Sequence, residues 1–364
     1  VYIMIESIYF HIPFCKKICS YCDFCKNYYK EDIVSKYLIA LKNEFLNNYR
    51  NEKIKTVYIG GGTPSCLSYD NLNCLFSITN KINLSDRYEF TFECNYDDIT
   101  EELLKILKEN KVNRISIGIE SFNKKFEDIL GRKIDKEEMI KSINLCKKYF
   151  DNINIDLMYA LYGQTMEDIV SDLNIISNLD IKHVSIYALI IEDNTMLKIK
   201  NIKEVDSQMQ SAMYDLIRNT LEKNGFTQYE ISNFALKGFE SKHNLTYWNN
   251  NNYYGFGSGA SGFINNIRYD NTKSIFKYID GITKTYTEKL DKNMLINDEV
   301  MLNLRKTTGI NKKNFLNKYG KKINDLYNLN ELIKEGYLKE SKENIYIPKK
   351  YLFVSNEIIL KVLE

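Results

Sequence analysis

The chain has 364 residues, a formal net charge of +2 at pH 7, 44% hydrophobic residues and 27% charged residues. This composition is ordinary for a globular protein, and it excludes a disordered chain, a fibrous chain and a strongly basic nucleic-acid-binding chain. No apolar run approaches the roughly 18 residues of a membrane span, and the N-terminal segment VYIMIESIYF lacks the basic start of a signal peptide. The sequence therefore predicts a cytoplasmic protein with one large and one smaller domain.

Strand-like and helix-like segments alternate along the first two thirds of the chain. Runs of β-branched and aromatic residues predict strands at residues 7–13, 56–59, 89–94, 114–119, 152–158 and 183–189. Apolar residues at three- and four-residue intervals predict helices at residues 32–49, 100–110, 136–150, 166–178 and 206–224. Because strand then helix, repeated, is typical of a parallel sheet, the sequence predicts an α/β fold, a partial (β/α)6 barrel over residues 1–235.

The pattern changes after residue 235. Residues 236–287, rich in Asn, Tyr and Gly, are predicted to connect the barrel to a second domain. Residues 288–364 are predicted to form a smaller, mainly helical, winged-helix-like domain, with helices at 298–305, 312–319 and 329–335, a strand pair within 337–347 and a last helix. Acidic residues are interleaved with the lysines of this domain, so no nucleic-acid partner is expected.

Four of the eight cysteines crowd into positions 15 to 25, which indicates a metal site. Cys15, Cys19 and Cys22 fall on the loop after the first predicted strand. Three thiolates at this spacing can hold three irons of a [4Fe–4S] cluster and leave the fourth iron open to a ligand. A closed zinc site is the alternative, but the compact spacing would strain a single tetrahedron. The role of Cys25 stays open between a spare residue, a shield and an alternate ligand.

Glycines and carboxylates follow the next strands. Gly61, Gly62 and Thr63 end the second strand, where backbone N–H groups are expected to approach a ligand closely. Glu93, Glu120 and Asp156 belong to the third, fourth and fifth strands or follow them directly, where a barrel presents side chains to its interior or upper rim. These residues predict a ligand site beside the cysteine loop.

The motif Cys-x3-Cys-x2-Cys after a first strand resembles the radical S-adenosylmethionine (SAM) superfamily. HIPFC, ending at Cys15, resembles the branch that contains heme chaperones and oxygen-independent coproporphyrinogen oxidases. Further matches are YIGGGTPS (58–65), ECN (93–95), NRISIGIESFN (113–123) and DLMYALYGQT (156–165).

The resemblance implies a [4Fe–4S] cluster and SAM, which the family cleaves after one electron enters the cluster. It implies that Glu93 and Glu120 hold polar groups of SAM, that Arg132 faces its carboxylate and that Asp156 lies near its ribose. Tyr9 and Tyr21 match positions that flank the cluster. Glu120 stands where family members usually carry Gln, and Tyr162 stands where they usually carry Pro.

A second block separates the two branches. YEISNFA (229–235) and HNxxYW (243–248) resemble the chaperones, and the resemblance implies that His243, expected in a polar loop beside the only Trp, binds heme; the alternative is a hydrogen-bonding surface histidine. Because the first strand is predicted to begin by Ser7, no N-terminal arm of the oxidase type is expected. The resemblance also implies that oxidases place their fourth cysteine one residue earlier than Cys25. His11 and His183 are expected to be structural.

The favoured function is therefore a heme chaperone that binds heme and transfers it to acceptor proteins while carrying a [4Fe–4S] cluster and SAM. Turnover of SAM is left open, and no coproporphyrinogen oxidase activity is expected. The implied partners are heme as cargo, a heme-accepting apo-protein and an electron donor such as flavodoxin or ferredoxin, with peripheral association at a membrane face left open. One alternative is the oxidase, which decarboxylates propionate side chains. The other is an iron–sulfur redox regulator that binds DNA, although its recognition helix would be the acidic segment 329–335.

Overall fold

The alternating strands and helices are present in the computed structural model, which describes residues 4–364. The strands are β1 (Ser7–Ile12), β2 (Phe14–Cys15), β3 (Asn27–Tyr28), β4 (Ile54–Gly61), β5 (Leu84–Asn95), β6 (Arg114–Glu120), β7 (Asn152–Tyr159), β8 (His183–Ala188), β9 (Thr227–Gln228), β10 (Asn233–Ala235), β11 (Tyr254–Phe256), β12 (Ser261–Ile264), β13 (Ile267–Asn271), β14 (Lys284–Lys289), β15 (Ile310–Asn311), β16 (Lys339–Glu340) and β17 (Asn344–Tyr346).

The helices connect these strands and complete the C-terminal region. They are α1 (Glu31–Asn48), α2 (Tyr69–Thr79), α3 (Glu101–Glu109), α4 (Glu127–Leu130), α5 (Lys136–Lys147), α6 (Met166–Ser177), α7 (Met196–Ile199), α8 (Ser207–Lys223), α9 (Lys242–Trp248), α10 (Ile275–Ile279), α11 (Lys292–Asn303), α12 (Lys312–Tyr319), α13 (Asn330–Lys334) and α14 (Ser355–Leu363). Within residues 4–364, no helix is long and apolar enough to cross a bilayer.

The main sheet has the strand order β11-β1-β4-β5-β6-β7-β8-β10-β9. Strands β1 and β4 to β8 are the six predicted ones, and they run parallel. The sheet is larger than expected at both edges. Strand β11 pairs in parallel with β1, and the short β10 and β9 continue the other edge in antiparallel pairs. The six-unit partial barrel and the α/β fold are confirmed.

The segment predicted as a connection between domains contributes to the barrel. Residues 254–256 form β11, in register with Ile8, Tyr9 and Phe10 of β1. A three-residue strand is too short to show a period of its own, so it could not be predicted from the local sequence pattern. The same segment also holds α9 and the hairpin β12–β13, which β14 extends to a three-stranded antiparallel sheet.

The two faces of the barrel strands differ in chemistry. Ile8 and Phe10 of β1 are fully buried against the outer helices, whereas Tyr9 and His11 lie on the opposite, inner face. This alternation follows from the two-residue period of a strand. The inner faces of the neighbouring strands carry polar residues as well, among them Thr91, Ser116 and Asn154. The interior of the barrel is therefore polar.

The C-terminal region has the element order of a winged helix. Helix α11 is followed by β15, α12 and α13, and then by β16 and β17, which pair with β15 in one antiparallel sheet. Helix α14 packs against α11. The guanidinium of Arg305 lies over the Trp248 ring, 5.6 Å from its centroid, which ties this region to α9.

Candidate functional site

The three cysteines of the motif lie at the carboxyl end of the barrel strands. Cys15 is in β2, directly after β1, and is buried, while Cys19 and Cys22 are partly exposed. Burial raises the pKa of all three thiols, that of Cys19 to about 12. Since iron binds thiolates, metal binding here must displace the thiol protons.

The arrangement of these thiols fits a cluster better than a single ion. Within residues 4–364, no three His, Cys, Asp or Glu side chains converge in the manner that one metal ion requires. A [4Fe–4S] cube instead spreads its three ligands over three irons. Space beside Cys15 is kept by Gly62, where an added Cβ would lie 2.9 Å from Cys15 Sγ. The residues therefore fit the cluster that the motif implies.

Cys25 is held away from the other three cysteines. Its Sγ lies 3.4 Å from the Lys273 carbonyl oxygen and 3.8 Å from Ser258 Oγ. A Cβ on Gly259 would lie 2.8 Å from the same sulfur. Cys25 therefore packs against the loop that follows β11. This contact is absent from local sequence because it joins positions more than 200 residues apart.

The triple glycine works differently from the sequence-based expectation. The N–H of Gly61 donates to Glu93 at 3.0 Å, and the N–H of Gly62 donates to the Ile12 carbonyl at 2.9 Å, so neither is free for a ligand. Glycine is required at these two positions because a side chain would collide with neighbouring atoms. An added Cβ would lie 2.7 Å from the His11 ring at Gly61 and 2.7 Å from the Phe14 carbonyl oxygen at Gly62. Both N–H groups are therefore bonded within the protein in this structure, and a contact of this turn with a ligand stays a prediction.

Glu93 is the acidic residue nearest the triple glycine. Its carboxylate accepts hydrogen bonds from Tyr58 Oη at 2.7 Å and from the Gly61 N–H. Burial raises the pKa of Glu93 to about 7, although both hydrogen bonds act to lower it. A carboxyl group with this pKa can hold or release a proton near neutral pH. It faces the polar interior from β5, two strands away from β1, which leads into the cysteine loop.

Glu120 and Arg132 form a buried ion pair, with 9% exposure for each side chain. Tyr21 Oη donates to the same carboxylate at 2.9 Å, so the cysteine loop is fastened to this pair. Glu120 has φ +60°, an unusual conformation for a residue with a side chain, at a register shift between β6 and β7. Burial raises the pKa of Glu120, and the Arg132 charge opposes that rise. A backbone conformation of this cost at a strand end is typical of a functional site.

Asp156 and Tyr9 complete the predicted set. Asp156 accepts hydrogen bonds from Ser116 Oγ at 3.1 Å and from Asn154 Nδ2 at 2.9 Å, and burial raises its pKa. Tyr9 Oη lies 2.9 Å from His11 Nδ1, and His11 Nε2 lies 2.8 Å from the Cys25 carbonyl oxygen. Glu93, Glu120 and Asp156 thus lie on neighbouring strands, close enough for the Asp156 charge to raise the pKa of the other two carboxyl groups.

Asn95 is a site residue that the sequence analysis did not single out. Its Nδ2 lies 3.4 Å from Thr63 Oγ1, and its Oδ1 accepts from Arg132 Nη2 at 3.3 Å. Thr63 Oγ1 in turn lies 3.6 Å from Cys15 Sγ. Asn95 therefore bridges the cysteine loop and the Glu120 ion pair. The available signal was its position two residues after Glu93, on the same face of the strand.

His243 lies in α9 with only 1% of its surface exposed, so the expected place in a polar loop is wrong. Its Nδ1 is 2.8 Å from Thr56 Oγ1 and its Nε2 is 2.8 Å from Tyr247 Oη. Burial lowers its pKa to about 3, so the ring is neutral at pH 7. With both nitrogens bonded, His243 has none left for iron in this arrangement. His183 is likewise bonded at both nitrogens, to Asn154 and Tyr229, as expected of a structural histidine.

Comparisons with known proteins match two parts of the chain to protein-family models. Residues 9–176 match the Radical SAM superfamily model, and residues 290–352 match the model described as the HemN C-terminal domain. The fold resembles the solved Escherichia coli coproporphyrinogen III oxidase (HemN), with a TM-score of 0.87 over 99% of this chain and 90% of that chain, at 20% sequence identity. At that identity the likeness concerns the fold alone.

Closer similarity in sequence is found with curated proteins. The chain is 40% identical to "Heme chaperone HemW" of Lactococcus lactis, covering 98% of this chain and 97% of the relative. It is 39% identical to the protein of the same name from Bacillus subtilis, covering 97% of this chain and 98% of the relative. The chain therefore belongs to the HemW heme chaperone family of the radical SAM superfamily.

Proposed function

We propose that the chain binds heme and transfers it to acceptor proteins while carrying a [4Fe–4S] cluster on Cys15, Cys19 and Cys22 and SAM beside it. The observation that carries this proposal is the end-to-end similarity to heme chaperones, at 40% identity over 98% of the chain. The solved oxidase has half that identity. Family membership at this level supports a common cargo.

The residues around the cysteine loop support binding of SAM. We assign the polar groups of the methionine part to Glu93 and Glu120, its carboxylate to Arg132, and the ribose to Asp156. Tyr9 and Tyr21 are assigned to the flanks of the cluster. When bound, the cluster and SAM supply one-electron cleavage chemistry. The task of this chain is to orient them and to exclude water.

Several contacts would set that orientation in advance. Tyr58 and Gly61 fix the Glu93 carboxylate, and Tyr21 joins the cysteine loop to Glu120. Asn95 couples Thr63 to Arg132. Groups held in place by such neighbours lose little entropy when a ligand binds. Glu93, with its pKa of about 7, would hold a proton at its carboxylate below neutral pH and accept cationic groups above it.

An acidic electron donor such as flavodoxin or ferredoxin fits the outer surface beside the cysteine loop. A cavity of about 620 Å³ there has five cationic side chains and two carboxylates in its lining. The cations are Lys17, Lys124, Lys125, Arg132 and Lys200. Because Arg132 pairs with Glu120 and Lys125 pairs with Asp168, Lys17, Lys124 and Lys200 are the cations that would steer an acidic protein to this side of the cluster.

The test is an anaerobic heme titration of the reconstituted chain, followed by the Soret band, with a parallel assay for coproporphyrinogen decarboxylation. Stoichiometric heme binding without decarboxylation is the expected result. Decarboxylation without heme binding would assign the chain to the oxidase reaction instead. A Cys15→Ala variant serves as the control that lacks the cluster in both assays.

A further inference from the structure

A large cavity lies at the end of the barrel away from the cysteine loop. It has a volume of about 1010 Å³ and reaches Ser7 and Thr56, near the amino ends of β1 and β4. Its other walls come from α9 and from α11 and α12 of the C-terminal region. The volume is at the upper end of what small-molecule sites occupy, roughly 300–1,000 Å³. None of the residues assigned to SAM lines it.

Helix α9, which carries the HNxxYW motif, presents two different faces. His243 and Tyr247 point into the barrel, where the His243 ring lies 5.1 Å from the Tyr58 ring and 6.5 Å from the Tyr9 ring. Four other positions at helical spacing line the cavity: Lys242, Leu245, Thr246 and Asn249. The motif therefore builds the partition between the barrel interior and the cavity.

The partition is fixed by buried polar contacts. Glu89 accepts hydrogen bonds at 3.0 Å from the N–H groups of Lys242 and of His243, at the amino end of α9. Ser7 Oγ lies 2.8 Å from Thr246 Oγ1. Thr56, a lining residue, is the partner of His243 Nδ1. Since Thr56 stands between His243 and the cavity, the histidine shapes this wall without facing the space.

The lining combines apolar walls with positive charge. Leu245, Phe263, Leu290 and Leu295 supply apolar surface, and Tyr319 adds an aromatic ring. Five lining side chains are cationic, namely Lys55, Arg87, Lys242, Lys292 and Lys318, against the single carboxylate of Glu6.

Some of those cations are unpaired. Lys55 pairs with Glu6, and Lys318 pairs with Glu299. In the part of the chain that the structure describes, Arg87, Lys242 and Lys292 form no ion pair. Five asparagines also line the cavity, so its walls are partly apolar and partly polar. Three unpaired cations beside the apolar part fit a ligand with a large apolar surface and carboxylates at its edge.

We propose that this cavity is the binding site of the heme cargo, with the macrocycle against the apolar wall and the two propionates toward Arg87 and Lys242. This assignment rests on the proposed function and adds the location of the cargo. It separates the cargo from the cluster, because the two sites lie at opposite ends of the barrel strands. It also gives the HNxxYW motif a role in heme binding, as one wall of the site, although His243 has no free nitrogen.

The experiment compares the full-length, cluster-loaded chain with an Arg87→Glu, Lys242→Glu double variant. The matched control is Lys36→Glu with Lys313→Glu, the same change of charge at two exposed lysines outside the cavity. The probes are heme, iron-free protoporphyrin IX and protoporphyrin dimethyl ester, followed by absorption and fluorescence. A Leu245→Glu variant tests the apolar wall separately, and thermal unfolding checks that each variant is folded.

The double variant is expected to bind heme and protoporphyrin IX about tenfold more weakly or worse, while the control matches wild type. The dimethyl ester lacks free carboxylates, so its affinity should not respond to the charge reversal. Equal heme affinity of wild type, the double variant and Leu245→Glu would overturn the site and leave the proposed function standing. If wild type itself bound no heme, both the site and the proposed function would fall.

Discussion

The side chains of Thr56 and His243 are joined by a buried hydrogen bond, with 2.8 Å between Thr56 Oγ1 and His243 Nδ1. Thr56 belongs to the strand that leads to the triple glycine, and His243 belongs to the helix at the opposite end of the barrel. Tyr247 Oη is hydrogen-bonded to the other ring nitrogen of His243, Nε2. A neutral ring bonded on both sides acts as a structural link between these elements.

Replacing His243 by Ala should therefore lower stability without changing heme ligation. The substitution leaves Thr56 and Tyr247 without their partner, at a cost of roughly 2–5 kcal/mol in the free energy of unfolding. The Soret maximum of bound heme should keep its wild-type position. Urea unfolding and anaerobic heme spectra measure the two effects, with His183→Ala as a control that also removes two buried bonds. A Soret maximum that shifts only in His243→Ala would show that His243 is a ligand after all.

The cluster should depend on three cysteines and not on the fourth. Alanine at Cys15, Cys19 or Cys22 removes one of three iron ligands and should abolish the anaerobic charge-transfer absorption. Cys25→Ala should retain it, because the Cys25 sulfur faces Ser258 and Lys273. Iron content per chain provides a second readout. Loss of the cluster in Cys25→Ala would make Cys25 a ligand and contradict the geometry.

Gly62→Ala should prevent cluster assembly for steric reasons. The added Cβ would lie 2.7 Å from the Phe14 carbonyl oxygen and 2.9 Å from Cys15 Sγ, closer than real Cβ contacts allow. Gly163→Ala is the control, because a Cβ there meets nothing within 4 Å and costs only the strain of φ +76°, about 1 kcal/mol. Reconstituted iron content distinguishes them, and equal iron in both variants would refute the close packing.

Arg132→Met should be strongly destabilising, since it leaves the Glu120 carboxylate buried without its cation. Breaking a buried pair in this way costs about 3–5 kcal/mol. The pair of Lys349 and Glu222 is more exposed, so Lys349→Met should cost no more than about 1 kcal/mol. Denaturant titrations of the two variants measure both losses in the free energy of unfolding. Equal losses in the two variants would contradict this prediction.

As the pH rises from about 4 to about 6, the free energy of unfolding should fall because of Asp172. This carboxyl is buried, accepts a hydrogen bond from Ser121 Oγ, and has its pKa raised from 3.8 to about 6 by burial. The folded chain therefore keeps a proton that the unfolded chain has already released, so unfolding becomes easier as pH rises through this window, by roughly 3 kcal/mol.

An Asp172→Asn variant isolates that effect. It cannot titrate, so its unfolding free energy should lack the part of the pH dependence that Asp172 contributes. The comparison uses urea unfolding of wild type and variant at several pH values from 4 to 7. A constant difference between the two proteins at every pH would show that Asp172 does not titrate with a raised pKa.

The parts of the fold that were predictable are those with a repeating local signal. Six strands of β-branched and aromatic residues alternate with amphipathic helices, and that period gave the parallel order and the partial barrel. Strand β11 and the hairpin β12–β13 were missed because three- to five-residue strands carry too few positions to establish a period. Pairing of β11 with β1 joins segments more than 240 residues apart.

The strand positions of the candidate site residues could be predicted from the sequence. Their hydrogen-bond partners could not. Strand ends of a parallel barrel meet at one rim, and Glu93, Glu120 and Asp156 lie on the neighbouring strands β5, β6 and β7. Their role toward SAM stays a prediction. The hydrogen-bond partners of the glycine N–H groups and of His243 depend on tertiary contacts that no local pattern encodes. The polar residues around His243 predicted a loop. In the structure, hydrogen bonds from its ring to Thr56 and Tyr247 stabilise the helix that carries it.

The central claim, that this chain carries heme to other proteins, is tested most directly by stopped-flow transfer of heme from the loaded, cluster-containing chain to a heme-free acceptor protein of the same cells. Passive release is measured with an excess of an unrelated heme scavenger. A chaperone should transfer heme faster than it releases heme to the scavenger, at a rate that rises with acceptor concentration. A transfer rate equal to passive release at every acceptor concentration would contradict the claim.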